Sequence, residues 1–372
     1  MATRLEETQP LRTLAELRVE ATARADRNAY PLIGLDPSEV RAVFATLTTL
    51  DRDEWAAAWS AVGDRYRASG DNLQAWRYYS FARWPVPLSD GKAAAYAAAL
   101  GAYLAHAQTW DPPLEVVRIP FEGGSIVGYL RMPASRAPAP VVVAIGGLDS
   151  RKEDLTERFA PLLAQGIGSF TFDMPGTGEA PLKIAAGAER MFARALDVLL
   201  ARPNVDAARI AVYGGSFGGY WAVKLAVAER ERLRGVVAQA PPVDRFFAAE
   251  FARTAFTNAE YLFDLGPAMM SLYEGVTTVD DFLRISPQHS LVAQGFIDRP
   301  AAPMLVIAGV LDTQVPIADI DLLLHSGETP KEAWINPAGG HMGRDARGWR
   351  DPVIFARVTT SWLLRVLAPD AA

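Results

Sequence analysis

Ile210-Ala211-Val212-Tyr213-Gly214-Gly215-Ser216-Phe217-Gly218-Gly219 is an apolar run that breaks into glycines around one serine. The residues from Tyr220 to Glu229 then read as a helix. The pattern G-x-S-x-G is weak alone. Between a short β-rich run and a helix it describes a sharp strand-to-helix turn that holds the serine hydroxyl exposed in a strained conformation. Glycines let the turn and the helix approach closely, and the helix N-terminus behind Ser216 favours developing negative charge. The alternative is a phosphate-binding or purely structural glycine turn. No lysine follows the glycines, as a P-loop would require.

Outward from this turn, strand and helix patterns alternate. Val116–Phe121 and Ile126–Met132 read as a hairpin joined through Glu122-Gly123-Gly124-Ser125. Pro140–Ile145 is a continuous apolar run, as expected of a strand buried on both faces. Further strands are expected at Ser169–Phe172, Arg209–Tyr213, Gly235–Ala240, Met304–Gly309 and Glu332–Asn336. Helices are expected at Glu153–Ala164, Glu189–Ala201, Phe217–Glu229, Ile317–His325 and Pro352–Leu367. This order predicts an α/β fold, a mostly parallel sheet with helices on both faces.

A serine nucleophile needs a base, and the base needs an orienting acid. Behind such an elbow they follow in the order Ser, acid, His. Asp312 follows the run Met304–Gly309 and so sits at a strand's carboxyl end, although it also reads as a helix N-cap before Pro316. Four histidines are present. His106 and His325 end helices, His289 lies in a long connection, and His341 follows the last strand in Gly339-Gly340-His341-Met342-Gly343. His341 is the expected base. Oxyanion donors are expected from the N–H of Phe217 and from Gly147 or Leu148 in Gly146-Gly147-Leu148-Asp149-Ser150. Asp173-Met174-Pro175-Gly176-Thr177-Gly178-Glu179 reads as a shaped turn rather than as chemistry.

Two regions stand outside the α/β cycle. Before Asp111-Pro112-Pro113 the pattern is helical, with start signals at Asp36-Pro37-Ser38-Glu39, Asp51-Arg52-Asp53-Glu54 and Asp71-Asn72-Leu73-Gln74. Trp55, Trp59, Val62 and Tyr66 recur on one helix face. Of the tryptophans at positions 55, 59, 76, 84 and 110, most are expected in a core, with one or two lining a pocket. Between Pro241 and Pro303 lie about sixty residues, far beyond the usual 2–6 of a βα connection. This stretch is rich in Phe, Tyr and Met. The expected organisation is a helical cap region, 1–113, and an α/β core, 114–372, with a cap insertion at 242–302.

Composition removes whole classes of function. Of 372 residues, 50% are hydrophobic and 22% charged, which suits a globular core. A net charge of −6 gives no basic field for nucleic acid. With no cysteine, thiol nucleophiles, disulfides and Cys-ligated metals are excluded. Met1–Pro10 carries Glu6 and Glu7 and no apolar core, so no secretory signal is expected, and no run reaches membrane-spanning length. A soluble cytoplasmic protein is the default.

Taken together, Ala144–Ser150, Phe172–Glu179, Gly215-Ser216-Phe217-Gly218-Gly219, Asp312 and Gly340-His341 resemble the α/β-hydrolase fold and, within it, the FrsA-like branch. That branch includes 2,6-dihydroxypseudooxynicotine hydrolase and fungal polyketide-shortening hydrolases. The resemblance covers residues 114–372 by motif, and the helical front resembles the family's N-terminal cap. It implies a triad Ser216–Asp312–His341 with no metal or cofactor. Members cleave C–C bonds beside a ketone, and some are esterases. The C–C hydrolases also use a carboxylate near the cap hinge, where Asp244 and Glu250 lie here. Substrate contacts are expected from these two and from Phe246 and Phe247. The leading function is hydrolysis of a ketone, 1,3-dicarbonyl or ester bond in a bulky, aromatic or polyketide-like substrate. Two other classes stay open, a lyase eliminating an acyl group such as acetate and a non-catalytic binding module. The expected partner is a small-molecule substrate, with no nucleic acid and no membrane; a homodimer is admitted.

Overall fold

The computed structural model describes residues 12–135, 137–258 and 260–369. The Met1–Pro10 stretch read above for a leader lies outside them. Among the described residues, no helix is long and apolar enough to cross a membrane. The chain divides into two compact units. One holds the described residues up to Pro113 together with Phe256–Met269, and the other holds Leu114–Ala255 and the described residues from Met270 on. The stretch 242–302, expected as one insertion, is therefore shared between them.

In the second unit eight strands form one sheet. They are β1 (Glu115–Phe121), β2 (Gly124–Arg131), β3 (Ala139–Ile145), β4 (Gly168–Phe172), β5 (Val205–Gly215), β6 (Gly235–Gln239), β7 (Met304–Gly309) and β8 (Lys331–Asn336). Their order is β1-β2-β4-β3-β5-β6-β7-β8. β2 pairs antiparallel with both β1 and β4, and every later pairing is parallel. Phe121 pairs with Gly124, so the hairpin turn is the two residues Glu122 and Gly123. Both have positive φ, 46° and 80°, the conformation a two-residue turn needs to match strand twist. β3 sits between β4 and β5 with all seven residues buried, which is why it reads as an unbroken apolar run.

Helices cover both faces. On one, Phe159 packs against Tyr213 and Phe355 with ring centroids 5.1 and 4.9 Å apart, beside Trp362 and Leu363. On the other, Phe192 of the helix Arg190–Leu200 bridges Phe172 and Trp221 at 5.6 and 5.2 Å. Because β5 is buried in mid-sheet, Ser216 at its end rests on a rigid base.

The helical unit contains Leu14–Asp26, Pro37–Thr46, Arg52–Ala68, Asn72–Ala82 and Asp90–Ala107. Asp36, Asp51 and Asp71 cap their helices by accepting backbone N–H groups of the first turn. The glutamates three residues on do not complete reciprocal boxes. Glu54 turns back to Thr48 and Thr49, and Glu39 accepts from Arg65 and Tyr66. Trp55 contacts Phe44, Trp59, Phe81 and Phe263, and Trp84 stacks on Tyr261. Trp55, Trp59 and Trp84 are thus core residues of this unit. Phe256–Met269 is tied into the unit by Asp264, which takes a bidentate contact from Arg52 at 2.8 Å per bond.

Candidate active site

Ser216 stands between β5 and the helix Phe217–Ala228 with φ 55° and ψ −124°. This is the strained turn its neighbours predicted. It is held from both sides: Ser216 N–H donates to the Gln239 carbonyl at 2.8 Å, and Gly219 N–H donates to the Ser216 carbonyl at 2.7 Å. A Cβ at Gly218 would lie 2.3 Å from the Ile145 carbonyl oxygen, so only glycine lets the helix start this close to β3.

His341 lies in a turn after β8 with its ring buried. Its Nε2 is 2.9 Å from Ser216 Oγ, and its Nδ1 is 2.9 Å from Asp312 Oδ2. With the Nδ1 proton donated to the carboxylate, Nε2 presents its lone pair to the serine hydroxyl. Asp312 uses its two oxygens on two neighbours, the histidine and the turn that follows it. Oδ2 meets the histidine, while Oδ1 accepts the N–H groups of Gln314 at 2.8 Å and Val315 at 2.9 Å. It does not cap the helix Ile317–His325, where Pro316 holds the cap position. Burial pushes the Asp312 carboxyl up, but His341 and these two N–H groups hold it below the usual carboxylate range. The acid therefore stays ionised where it must orient an imidazole.

The loop after β3 treats the two candidates Gly147 and Leu148 differently. Gly147 N–H is already given to Ser150 Oγ at 2.9 Å, so it is not the free donor. Among the described residues, Leu148 N–H has no acceptor. Phe217 opens its helix, so no carbonyl a turn behind accepts its N–H. Leu148 and Phe217 thus each keep an N–H with no acceptor among the described residues. Gly147 acts through its small size instead, since a Cβ there would lie 3.1 Å from Ser216 Cβ and 3.4 Å from its Oγ. Gly147→Ala is expected to lower kcat by about tenfold to a hundredfold, as small displacements near reacting atoms do, with Tm little changed. Steady-state kinetics and thermal unfolding check this, and an unchanged kcat would place the loop away from the reacting atoms.

Beneath the loop, Lys152 is fully buried, with Nζ 2.9 Å from Asp173, 2.8 Å from Glu179 and 3.0 Å from Glu153. Asp173 also accepts the N–H groups of Lys152 and Glu179, both at 3.0 Å. Burial pushes Asp173 up, and Lys152 with Arg151 pulls it below its ordinary value. This cluster anchors the turn, as the sequence indicated.

The remaining candidates separate. Phe246 and Phe247 meet the Phe217 ring edge-on, at 6.0 and 6.1 Å. Asp244 is half-buried and accepts the Ser290 hydroxyl. Glu250 stands exposed on Ala249–Ala255 and is not brought to the triad. Two supporting residues escaped the sequence reading. Gln239, at the end of β6, donates to the Met342 carbonyl at 2.8 Å and accepts from Tyr213 at 2.7 Å. Asn336, at the end of β8, donates to the Gly343 carbonyl at 2.9 Å. Both steady the histidine turn. The only sequence signal for Gln239 is a polar amide closing an otherwise apolar strand, and Asn336 lacks even that, since its strand already carries Lys331 and Glu332.

Residues 35–336 match the family described as esterase FrsA-like. The chain belongs to the FrsA-like family. It is 34% identical to the esterase FrsA of Enterobacter sp. (strain 638) over 61% of this chain and 55% of that protein. The chain spans about half the length of the FrsA esterases it matches. A hydrolase, LUC6 of Fusarium sp., is 26% identical across 86% of this chain and 87% of that protein. The structure of 2,6-dihydroxy-pseudo-oxynicotine hydrolase superposes with a TM-score of 0.69 at 22% identity, covering 95% of this chain and 96% of that one. The sheet order and this superposition make the fold that of the α/β-hydrolases. Among the described residues, no group of three or more acidic or histidine side chains is arranged to hold a metal.

Proposed function

We propose that the chain is a serine hydrolase that cleaves an ester, or a C–C bond beside a ketone, in a bulky, mostly apolar substrate. The observation that carries this is the unbroken relay from Asp312 through His341 to Ser216, at 2.9 Å per link. Ser216 Oγ attacks the carbonyl carbon while its proton passes to His341 Nε2. The N–H groups of Phe217 and Leu148 take the developing oxyanion. His341 then protonates the leaving group, an alkoxide from an ester or a carbanion from a β-diketone. Water, deprotonated by the same imidazole, releases the acid and regenerates the serine. Asp312 does not change protonation; it holds the ring and balances its charge.

Support for the substrate class comes from Phe217, Phe246 and Phe247, three packed aromatic rings beginning at the residue next to the nucleophile. Stacking on such faces adds about 0.5–1.5 kcal/mol per pair beyond burial. One full-length relative is a named hydrolase, and one structural neighbour is a hydrolase of 2,6-dihydroxy-pseudo-oxynicotine.

The test is a screen of p-nitrophenyl esters and aryl β-diketones in oxygen-18 water with mass detection of both products. Hydrolysis is expected to put one solvent oxygen into the released acid and to favour aryl over acetyl substrates. A β-acetoxy ketone in the same screen tests the other class: enzyme-dependent release of acetate without solvent oxygen, beside an α,β-unsaturated ketone, would assign an acyl-eliminating lyase instead.

A further inference from the structure

Asp319 lies on the helix Ile317–His325, just after the turn that carries Asp312, and is fully buried. A buried carboxylate is costly unless it is paired or richly hydrogen-bonded. Among the described residues it has no ion-pair partner. It gathers four consecutive backbone N–H groups instead. Oδ2 accepts from Val243 at 2.7 Å, Asp244 at 3.2 Å and Phe246 at 3.3 Å, and Oδ1 accepts from Arg245 at 2.6 Å.

These donors belong to the segment that leaves β6 through Ala240, at φ 50°, and Pro241-Pro242. No strand or long helix of its own orders this segment. Its cargo is the aromatic wall. Phe246 and Phe247 lie 5.1 Å apart and edge-on to Phe217, and Phe247 also meets Tyr220 at 5.3 Å. One carboxylate therefore ties the acid-bearing side of the site to the wall beside the nucleophile.

We propose that Asp319 is a positioning residue that sets selectivity for bulky over small acyl groups by fixing Phe246 and Phe247 against Phe217. The proposal rests on the reading of Ser216 as nucleophile. It separates the two functions of the site: the relay gives reactivity, and the carboxylate–N–H cluster gives the shape of the wall. Asp319→Asn keeps the size of the side chain but loses the charge and one acceptor oxygen. Some of the four N–H groups are then left without a partner.

The test compares the second-order rates at which a methyl-substituted and a phenyl-substituted fluorophosphonate modify Ser216. Each reaction forms an Oγ–P bond, expels fluoride and passes the serine proton to His341, and the probes' different intrinsic reactivities cancel when the variant's rate ratio is divided by the native one. In Asp319→Asn the small probe is expected to react within about threefold of the native rate, while the ratio of bulky to small rates falls by about tenfold or more. Equal slowing of both probes would make Asp319 a general structural residue and overturn the proposal, as would an unchanged ratio. Phe246→Ala, which removes a wall ring without touching the buried carboxylate, must shift the same ratio in the same direction. An unchanged ratio there overturns the proposal even if Asp319→Asn does not fold. Absence of any Ser216-dependent modification in the native protein would instead overturn the nucleophile reading.

Discussion

Ser216→Ala is expected to lower kcat by about 10³ or more with the fold intact, because removing a triad serine leaves only binding and oxyanion stabilisation. The substitution removes a single oxygen. It does not disturb the two backbone bonds that hold residue 216, donated to the Gln239 carbonyl and accepted from Gly219 N–H. It also relieves no strain, since alanine at φ 55° meets the same backbone penalty as serine. Circular dichroism and Tm should match the native protein, so the lost activity cannot be laid to unfolding. KM is expected to change little, because the serine oxygen serves the transition state more than the bound substrate. Native-like kcat in this variant would mean that another group performs the chemistry.

His341→Ala is expected to cost about 10²–10⁴ in kcat, the range for a positioned general base. The other histidines serve as controls. Burial, with Lys224 nearby, pushes His289 down to about 4. His325 is exposed, with Nδ1 2.7 Å from the Asp321 carbonyl oxygen, and His106 packs against Trp110. Single alanine variants of His106 and His325 should keep kcat near the native value in steady-state assays. Native-like kcat in His341→Ala would remove His341 from the mechanism.

The parts of the site that were legible in the sequence share one property: each announces itself locally. Ser216 sits in a glycine frame between an apolar run and a helix, and Asp312 and His341 each follow a strand by a few residues. A mostly parallel sheet brings the carboxyl ends of its strands to one edge, so local signals suffice to gather distant residues. The tryptophans of the helical front were also readable, because helical spacing puts Trp55 and Trp59 on one face.

What was not legible depends on contacts between segments far apart or on the fine geometry of a loop. Gly147 and Leu148 are neighbours in a glycine-rich turn. Only the position of Ser150 Oγ decides which N–H is engaged. Asp319 reads as an ordinary polar position on an amphipathic helix, while its four partners lie more than seventy residues earlier. Glu250 and Asp244 share one stretch of sequence, yet one is exposed and the other half-buried against Ser290. No periodicity distinguishes them. The division of 242–302 has the same cause. Asp264 joins the helical unit through Arg52, an ion pair spanning 212 positions.

The central claim is that Ser216 is the nucleophile, activated by His341 and Asp312. Its most direct measurement is covalent modification of the intact protein by a fluorophosphonate, read by intact mass and peptide mapping. The account predicts one adduct per chain, on the peptide containing Ser216, formed slowly in His341→Ala and absent in Ser216→Ala. An adduct mapped to another residue, or full labelling of Ser216→Ala, would contradict it.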